Sequence, residues 1–217
     1  MRSEFEGQLK QLHEQLENMG GLCQEAMDWA VRALTEGDKT LAAKVPPLDA
    51  RIDQLERDIE ALCLKLLLKQ QPVARDLRQV SAALKMITDM ERIGDQCREI
   101  AEIIPFLAGC DRSGCQQVAD MGRAAIAMVN GGVNAFIRGD LALARQVIAM
   151  DDGVDNYFSQ IKADLIGRIA AHPEAGECAL DLLMIAKYFE RIGDHASNIA
   201  EWVDFSLTGD LPPEDGE

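Results

Sequence analysis

The sequence feature that most constrains the fold is a phrase of five residues that occurs twice. Glu91-Arg92-Ile93-Gly94-Asp95 returns as Glu190-Arg191-Ile192-Gly193-Asp194, 99 residues later in a chain of 217. Identical phrases so spaced indicate an internal duplication, so each half of the chain is expected to build the same unit.

Apolar side chains recur at three- and four-residue steps along most of the chain, which is the period of an amphipathic helix. Gly37-Asp38, Gln71-Pro72 and His172-Pro173 supply the residue types that end or begin helices. These signals predict a short segment over residues 39–45 and long helices over 5–36, 46–70, 73–106, 114–138, 151–171 and 177–207.

The two halves follow one plan, since Gly139-Asp140 matches Gly37-Asp38 at a distance of 102 residues. The expected fold class is all-α, with two tandem three-helix bundles related by internal duplication and six long helices in total. We place the first bundle at residues 1–109 and the second at 110–217. The polar tail from Pro212 onward is expected to be frayed.

The charge of the chain excludes some partners. There are 22 basic and 37 acidic residues, which gives a net charge of −15. This field repels nucleic acid and anionic lipid headgroups and attracts cations and basic protein surfaces. No apolar run approaches the ~18 residues of a membrane-spanning helix, and the amino end lacks an apolar signal region. We therefore expect a cytoplasmic protein that binds no nucleic acid and meets membranes only indirectly.

The cysteines are scattered through the sequence without a C-x-x-C spacing. Scattered thiols in an unexported helical chain are usually small core residues kept reduced. We therefore expect neither a disulfide framework nor a zinc finger from the six cysteines, which are Cys23, Cys63, Cys97, Cys110, Cys115 and Cys178.

Each half carries two pairs of carboxylates four residues apart, a spacing that places both on one face of a helix. Asp53 lies 19 residues before Pro72 and Glu91 lies 19 residues after it, so an antiparallel hairpin brings them level. The second half repeats this around Pro173 almost to the residue. The candidate metal ligands are Asp49, Asp53, Glu91, Asp95, Asp151, Asp155, Glu190 and Asp194.

The acids lie a quarter-turn or more from the apolar stripes of their helices, so we expect them at the edge of the core or outside it, in grooves between helices. A single pair is most simply a solvated face of an acidic protein. Four level pairs repel one another, and a bound cation would reverse that repulsion. Oxygen ligands suit Mg²⁺, Mn²⁺ or Ca²⁺, with iron possible through bridging carboxylates. The expected cofactor is a divalent or multinuclear metal, with Mg, Mn, Fe and Zn left open.

Two other features of the repeated phrase bear on these sites. A glycine inside a helix lowers its stability, so the repeated Gly94 and Gly193 indicate close approach of a neighbouring helix or ion. His195 could ligate a metal, but its counterpart in the first half is Gln96. We therefore expect it to be at most an accessory ligand.

Further stretches accompany the repeated phrase, namely the run from Gln70 to Arg78 around Pro72 and the run from His195 to Glu201. With them, the chain closely resembles the PhoU family, the phosphate-uptake regulators of bacteria. The resemblance implies paired three-helix bundles with multinuclear metal sites at the acidic motifs. It also implies damping of phosphate-starvation signalling when phosphate is plentiful, through the sensor histidine kinase PhoR and the transporter ATPase PstB. Residues 96–99 depart from the family pattern, which the corresponding residues 195–198 of the second half follow. Whether metal occupies the two sites equally therefore stays open.

Three functions are compatible with a helical chain that carries these acids: a metal-binding regulatory adaptor, a ferritin-like di-metal oxidase and a metal-free helical adaptor. Ferritin-like bundles point Glu and Glu-x-x-His ligands inward, whereas here Gly94 and Gly193 stand at the third position after Glu. No tuned acid or base in a water-excluding pocket is visible. The sequence therefore favours a regulator that is not an enzyme, and exposed stripes on its long helices favour self-association as a homodimer.

Overall fold

Seven α-helices form the computed structural model, which describes residues 2–70 and 75–210. Within these ranges six helices are long, one is short and no strand occurs, so the all-α prediction is confirmed. Single 3₁₀ turns, Ile104–Leu107 and Pro173–Ala175, follow α4 and precede α7. The helices are α1 (Arg2–Glu36), α2 (Lys39–Ala42), α3 (Val45–Gln70), α4 (Arg75–Ile103), α5 (Cys115–Arg138), α6 (Leu141–Ala171) and α7 (Gly176–Thr208).

One predicted helix, that over 151–171, was ten residues too short, because α6 begins at Leu141. In the first half α2 ends at Ala42 and α3 starts afresh just before Pro46 and Pro47. Proline lacks an amide hydrogen and fits only the first turn of a helix, so it forces this restart. Their counterparts at positions 148 and 149 are Ile and Ala, so the second half continues as one helix. The predicted Gln71-Pro72 break and the polar tail lie outside the described residues.

Two three-helix bundles lie side by side. The first is α1, α3 and α4, the second is α5, α6 and α7, and they meet where α4 packs along α7 and α1 along α5. Their buried aliphatic side chains form one continuous core that runs through both bundles. The division of domains near residue 109 therefore stays a prediction. No helix in the described ranges is both long and apolar enough to cross a membrane.

The contact between α4 and α7 is nearly symmetrical. The Tyr188 hydroxyl donates to Glu99 Oε2 at 3.4 Å, and the Asn198 amide donates to Asp89 Oδ1 at 3.3 Å. At the repeat distance of 99 residues, Glu99 corresponds to Asn198 and Asp89 to Tyr188. Each contact is thus the image of the other, which is the pattern of an isologous two-fold interface.

The expectation that all six cysteines are reduced was wrong for one pair. Cys110, in the loop after α4, forms a disulfide with Cys178 in the first turn of α7. The two residues are 68 apart in sequence but their Cα atoms lie 5.9 Å apart, a proximity that cysteine spacing does not reveal. The remaining cysteines are free and buried, as expected: Cys23, Cys63, Cys97 and Cys115.

Candidate metal centres

The first carboxylate cluster lies between α3, which carries Asp49 and Asp53, and α4, which carries Glu91 and Asp95. The guanidinium of Arg98 joins the two helices, with Nε 3.0 Å from Asp49 Oδ2 and Nη2 3.1 Å from Asp95 Oδ1. The pKa of Glu91 is raised, first by burial and then by Asp95, with a smaller contribution from Asp53. The four acids are therefore at one height, as the distances from Pro72 predicted.

Asp49 lies deeper than the groove position that the helical wheel predicts. It is only 6% exposed, and its buried Oδ1 has no hydrogen-bond partner among the residues that the structure describes. Burial raises the pKa of Asp49, as do the neighbouring Asp53 and Asp95, while Arg98 opposes the shift. Gly94 permits this position, because a Cβ on Gly94 would stand 2.8 Å from Asp49 Oδ1.

Arg98 lies at the end of the cluster that Asp49 and Asp95 form, which we call the inner end; Asp151 and Asp194 form the inner end of the second cluster. In addition to the contacts of Arg98 with Asp49 and Asp95, its Nη1 lies 3.1 Å from Glu102 Oε1 and its Nη2 lies 3.4 Å from Glu99 Oε1. The hydrogen bond to Asp95 is the main cause that raises the pKa of Arg98. Sequence reasoning missed this role, although Arg98 stands three residues after Asp95 and so shares its helix face.

Two more charged side chains belong to the first cluster. Arg92 pairs with Asp95 Oδ2 at 3.0 Å and with Glu91 Oε2 at 3.3 Å. Glu56, one turn beyond Asp53 on α3, has a raised pKa, chiefly through burial and then through Glu60 and Asp53. The i, i+3 spacing from Asp53 was the signal that would have found Glu56.

The second cluster lies between α6 and α7. Burial, with Asp194 and Asp155 next in order, raises the pKa of Asp151 to about 6. The Oδ1 atom of Asp151 is buried, and residues 2–70 and 75–210 offer it no hydrogen-bond partner. The residue Asp194 is exposed as a whole, yet enough protein surrounds its carboxylate for desolvation, followed by Glu190, to raise its pKa.

The inner end of the second cluster opens into a groove of about 340 Å³. Liquid water occupies ~30 Å³ per molecule, so the groove has room for a cation with part of its hydration shell. At the outer end of the cluster, Lys187 bonds to Glu190. No basic side chain is among the residues that line the groove, which are Asp151, Asp194, Ser197, Asn198 and Glu201.

His195, which the sequence suggested as at most an accessory ligand, is paired across the bundles through one of its two ring nitrogens. Its Nδ1 donates to Asp89 Oδ1 at 3.0 Å, and Asn198 donates to the same oxygen. Asp89 was not among the predicted site residues, because it lies outside the duplicated phrase. It joins the second cluster to α4, as Tyr188 joins the first to α7.

The donor atoms of both clusters are of the type that hard cations prefer. Both clusters offer carboxylate oxygens, which Mg²⁺, Mn²⁺ and Ca²⁺ prefer. Among the residues described, no three or more His, Cys, Asp or Glu side chains are arranged to hold a metal ion as they stand. The eight carboxylates therefore stay predicted metal ligands.

Comparison with known proteins places the duplication in a family. The PhoU domain model matches the chain twice, over residues 16–104 and 118–203. The chain belongs to the PhoU family. Each PhoU match includes one copy of the repeated phrase and both helices that supply the acids of one cluster.

The relatives of this PhoU-family chain are similar over most of its length. A Pseudomonas aeruginosa protein called phosphate-specific transport system accessory protein PhoU homolog is 34% identical over 208 residues, 95% of this chain and 86% of the relative. The crystal structure of PhoU from Pseudomonas aeruginosa has a TM-score of 0.91 at 34% identity, covering 95% of this chain and all of the other. The phosphate transport system regulatory protein PhoU from Streptococcus pneumoniae has a TM-score of 0.90 at 27% identity, covering 97% of this chain and all of the other.

Proposed function

We propose that this protein is a regulator of phosphate uptake and phosphate-starvation signalling. The observation that carries the proposal is the double PhoU match, with relatives named as accessory proteins of a phosphate-specific transport system over nearly the same length. In the proposed role the protein lowers the signalling of a PhoR-type sensor kinase and meets a PstB-type transporter ATPase when phosphate is plentiful. Its net charge of −15 suits basic surfaces on such partners.

We propose further that the acidic clusters bind a divalent or multinuclear metal, with Mg, Mn, Fe or Zn as candidates. A cation bound there would supply positive charge to carboxylates that otherwise repel one another. The buried Asp151 Oδ1, which has no hydrogen-bond partner in the described part of the chain, supports this because unpaired buried oxygens are uncommon in proteins. Asp151 on α6 and Asp194 on α7 would then hold their two helices together and fix the shape that the partners meet.

The protein is proposed to act in the cytoplasm and as a homodimer. The kinase and ATPase proposed as partners would present their regulated surfaces there. Self-association is supported by exposed apolar side chains one turn apart, Leu64 and Leu68 on α3 and Leu180 and Met184 on α7. Sedimentation of the purified protein at several concentrations tests the dimer, and a single monomer mass at all of them would refute it.

The proposed regulator is not an enzyme. Ferritin-like oxidases carry a histidine three residues after a ligating glutamate, but in both halves this position is a glycine packed against the neighbouring helix. Ile52 and Asp49 lie next to Gly94, and Val154 lies next to Gly193. Oxygen uptake on addition of Fe²⁺, measured against a protein-free blank, should show no turnover, and sustained turnover would favour the oxidase.

The central experiment replaces one inner carboxylate in each cluster, as the double variant Asp95→Asn/Asp194→Asn. We expect the purified variant to hold less metal by elemental analysis than the unaltered protein. In cells it should raise expression of phosphate-starvation genes in phosphate-rich medium. The matched control is Asp120→Asn, which removes an exposed α5 carboxylate that pairs only within its own helix, with Arg123 and Gln116.

The outcomes separate the two parts of the proposal. Unchanged metal stoichiometry in the double variant would refute the site assignment. Unchanged repression in cells that lack the whole protein would refute the regulatory role. A thermal midpoint that does not move with a chelator, together with purified protein that contains no metal, would favour the metal-free adaptor.

A further inference from the structure

The two carboxylate clusters differ at the position that follows the repeated phrase by three residues. In the first half that position is Arg98, whose guanidinium lies within 3.4 Å of four carboxylates. In the second half the counterpart is Ser197, which is 8% exposed and lines the groove beside Asp151 and Asp194. The permanent positive charge of Arg98 in the first cluster thus corresponds to the small neutral hydroxyl of Ser197 in the second.

The guanidinium occupies the bonding positions that a metal would need. Arg98 Nε and Nη2 take one oxygen each from Asp49 and Asp95, the two inner acids that face each other across α3 and α4. An arginine side chain does not lose its proton under physiological conditions. Because it is tethered to α4, it competes with any dissolved cation at a high effective concentration.

The described residues that line the inner end of the second cluster include no arginine or lysine. The basic side chain in contact with it, Lys187, bonds to Glu190 at the outer end and lies over the ring of Phe158. His195 donates to Asp89 of α4. Asp151 and Asp194 therefore line a groove to which the described part of the chain contributes no basic side chain.

We infer that the two repeats carry different cations: the guanidinium of Arg98 takes the place of metal in the first cluster, and divalent metal binds in the second cluster alone, at Asp151 and Asp194. This inference rests on the proposed metal binding and specifies which half performs it. Arg98 is a built-in substitute that keeps α3 and α4 joined whether or not metal is present. In the second cluster, by contrast, the link between Asp151 of α6 and Asp194 of α7 depends on the metal supply.

The test uses a pair of isosteric variants in the full-length protein. Asp194→Asn removes an inner acid of the second cluster, and Asp95→Asn removes its counterpart in the first. Each protein is loaded with excess Mn²⁺, freed of unbound metal by gel filtration, and analysed for manganese per chain. We expect Asp194→Asn to lose nearly all bound manganese and Asp95→Asn to retain the full amount.

A third variant, Arg98→Ser, gives the first half the side chain of the second. It should double the manganese bound per chain, and the added portion should disappear in Arg98→Ser/Asp95→Asn. Arg145→Ser is the control, because it removes an exposed arginine that pairs with Asp204 outside both clusters. Circular dichroism of each variant establishes that loss of metal is not loss of fold.

The results distinguish this inference from the proposal on which it rests. If the unaltered protein and Arg98→Ser both bind no manganese, the proposed metal binding itself fails. Equal losses from Asp95→Asn and Asp194→Asn would leave metal binding standing and overturn the inequality of the two halves. Loss confined to Asp95→Asn would overturn it as well.

Discussion

Gly94 and Asp49 touch across the groove between α4 and α3, so closely that a Cβ on the glycine would lie 2.8 Å from Asp49 Oδ1. The corresponding distance from Gly193 to Asp151 Oδ1 is 3.5 Å. Arg98 holds the other oxygen of Asp49, so this carboxylate has little freedom to move aside. The two glycines are therefore equivalent in sequence but not in the space around them.

This difference predicts unequal effects of alanine at the two positions. Alanine raises intrinsic helix stability by about 1 kcal/mol at each site, whereas overpacking against a fixed neighbour typically lowers stability by about 1–3 kcal/mol. Gly94→Ala should therefore be less stable than Gly193→Ala by roughly 1 kcal/mol or more. Urea unfolding in a chelating buffer measures both, and equal midpoints would contradict the packing argument.

The disulfide between Cys110 and Cys178 should contribute measurably to stability. In the chain-entropy model, closing a loop of this length raises the free energy of the unfolded chain by about 4 kcal/mol and so stabilises the folded state. Reduction should lower the thermal midpoint of the oxidised protein, and should have no effect on Cys110→Ser/Cys178→Ser. Denatured, unreduced protein should show four titratable thiols, and a count equal to all the cysteines would show that the bond is absent.

Asp89 should stabilise the contact between the two bundles, since it accepts hydrogen bonds from both His195 and Asn198. Asp89→Ala leaves these part-buried donors without their acceptor, which should lower the free energy of unfolding by about 1–3 kcal/mol. The comparison is Asp120→Ala, where an exposed pair is lost and a change below about 1 kcal/mol is expected. Chemical denaturation of both proteins at one pH decides the matter, and equal effects would count against the contact.

His13 should make the protein sensitive to mild acid. Burial against Phe136 lowers its pKa below the ordinary value of 6.5, so around that pH the unfolded chain binds more protons than the folded one. The contribution of His13 to stability therefore falls as the pH drops below 6.5. The stability of His13→Leu relative to the unaltered protein should rise between pH 7.5 and 5.5 (values about one unit either side of an unperturbed histidine).

The exposed His172→Leu provides the control for this pH series, because the side chain of His172 is 68% exposed. The pH dependence measured for His13→Leu should exceed that measured for His172→Leu over the same range. A His13→Leu difference that stays constant with pH would contradict a protonation effect.

Much of the fold could be predicted because its signals are local and duplicated. Helix period, capping residues and proline positions located the long helices, and the distances of Asp53 and Glu91 from Pro72 set the level of the carboxylates. The start of α6 at Leu141 was also readable, since Ile and Ala replace the two prolines that interrupt the first half. The prediction failed at this position because it assumed that the second half is interrupted where the first half is, although the residues differ.

The parts that could not be predicted depend on which side chains meet. Arg98 has several acids within reach along its own helix. Nothing in the sequence indicates that it also reaches Asp49 on the neighbouring helix α3. Asp89 and His195 come together only because α4 lies along α7, and the partnership of Cys110 with Cys178 likewise requires the tertiary fold. Helix spacing determines which residues share a face, whereas contacts between helices follow from packing.

The paired contacts between α4 and α7 have a consequence for how the two halves can change. If each half were a separate chain in a symmetrical dimer, any mutation would appear in both copies of the groove at once. Fusion into one polypeptide removes that restriction, so an arginine can be introduced beside one set of acids while a serine remains beside the other. The gene duplication thereby allows one inherited architecture to acquire two separately tunable halves.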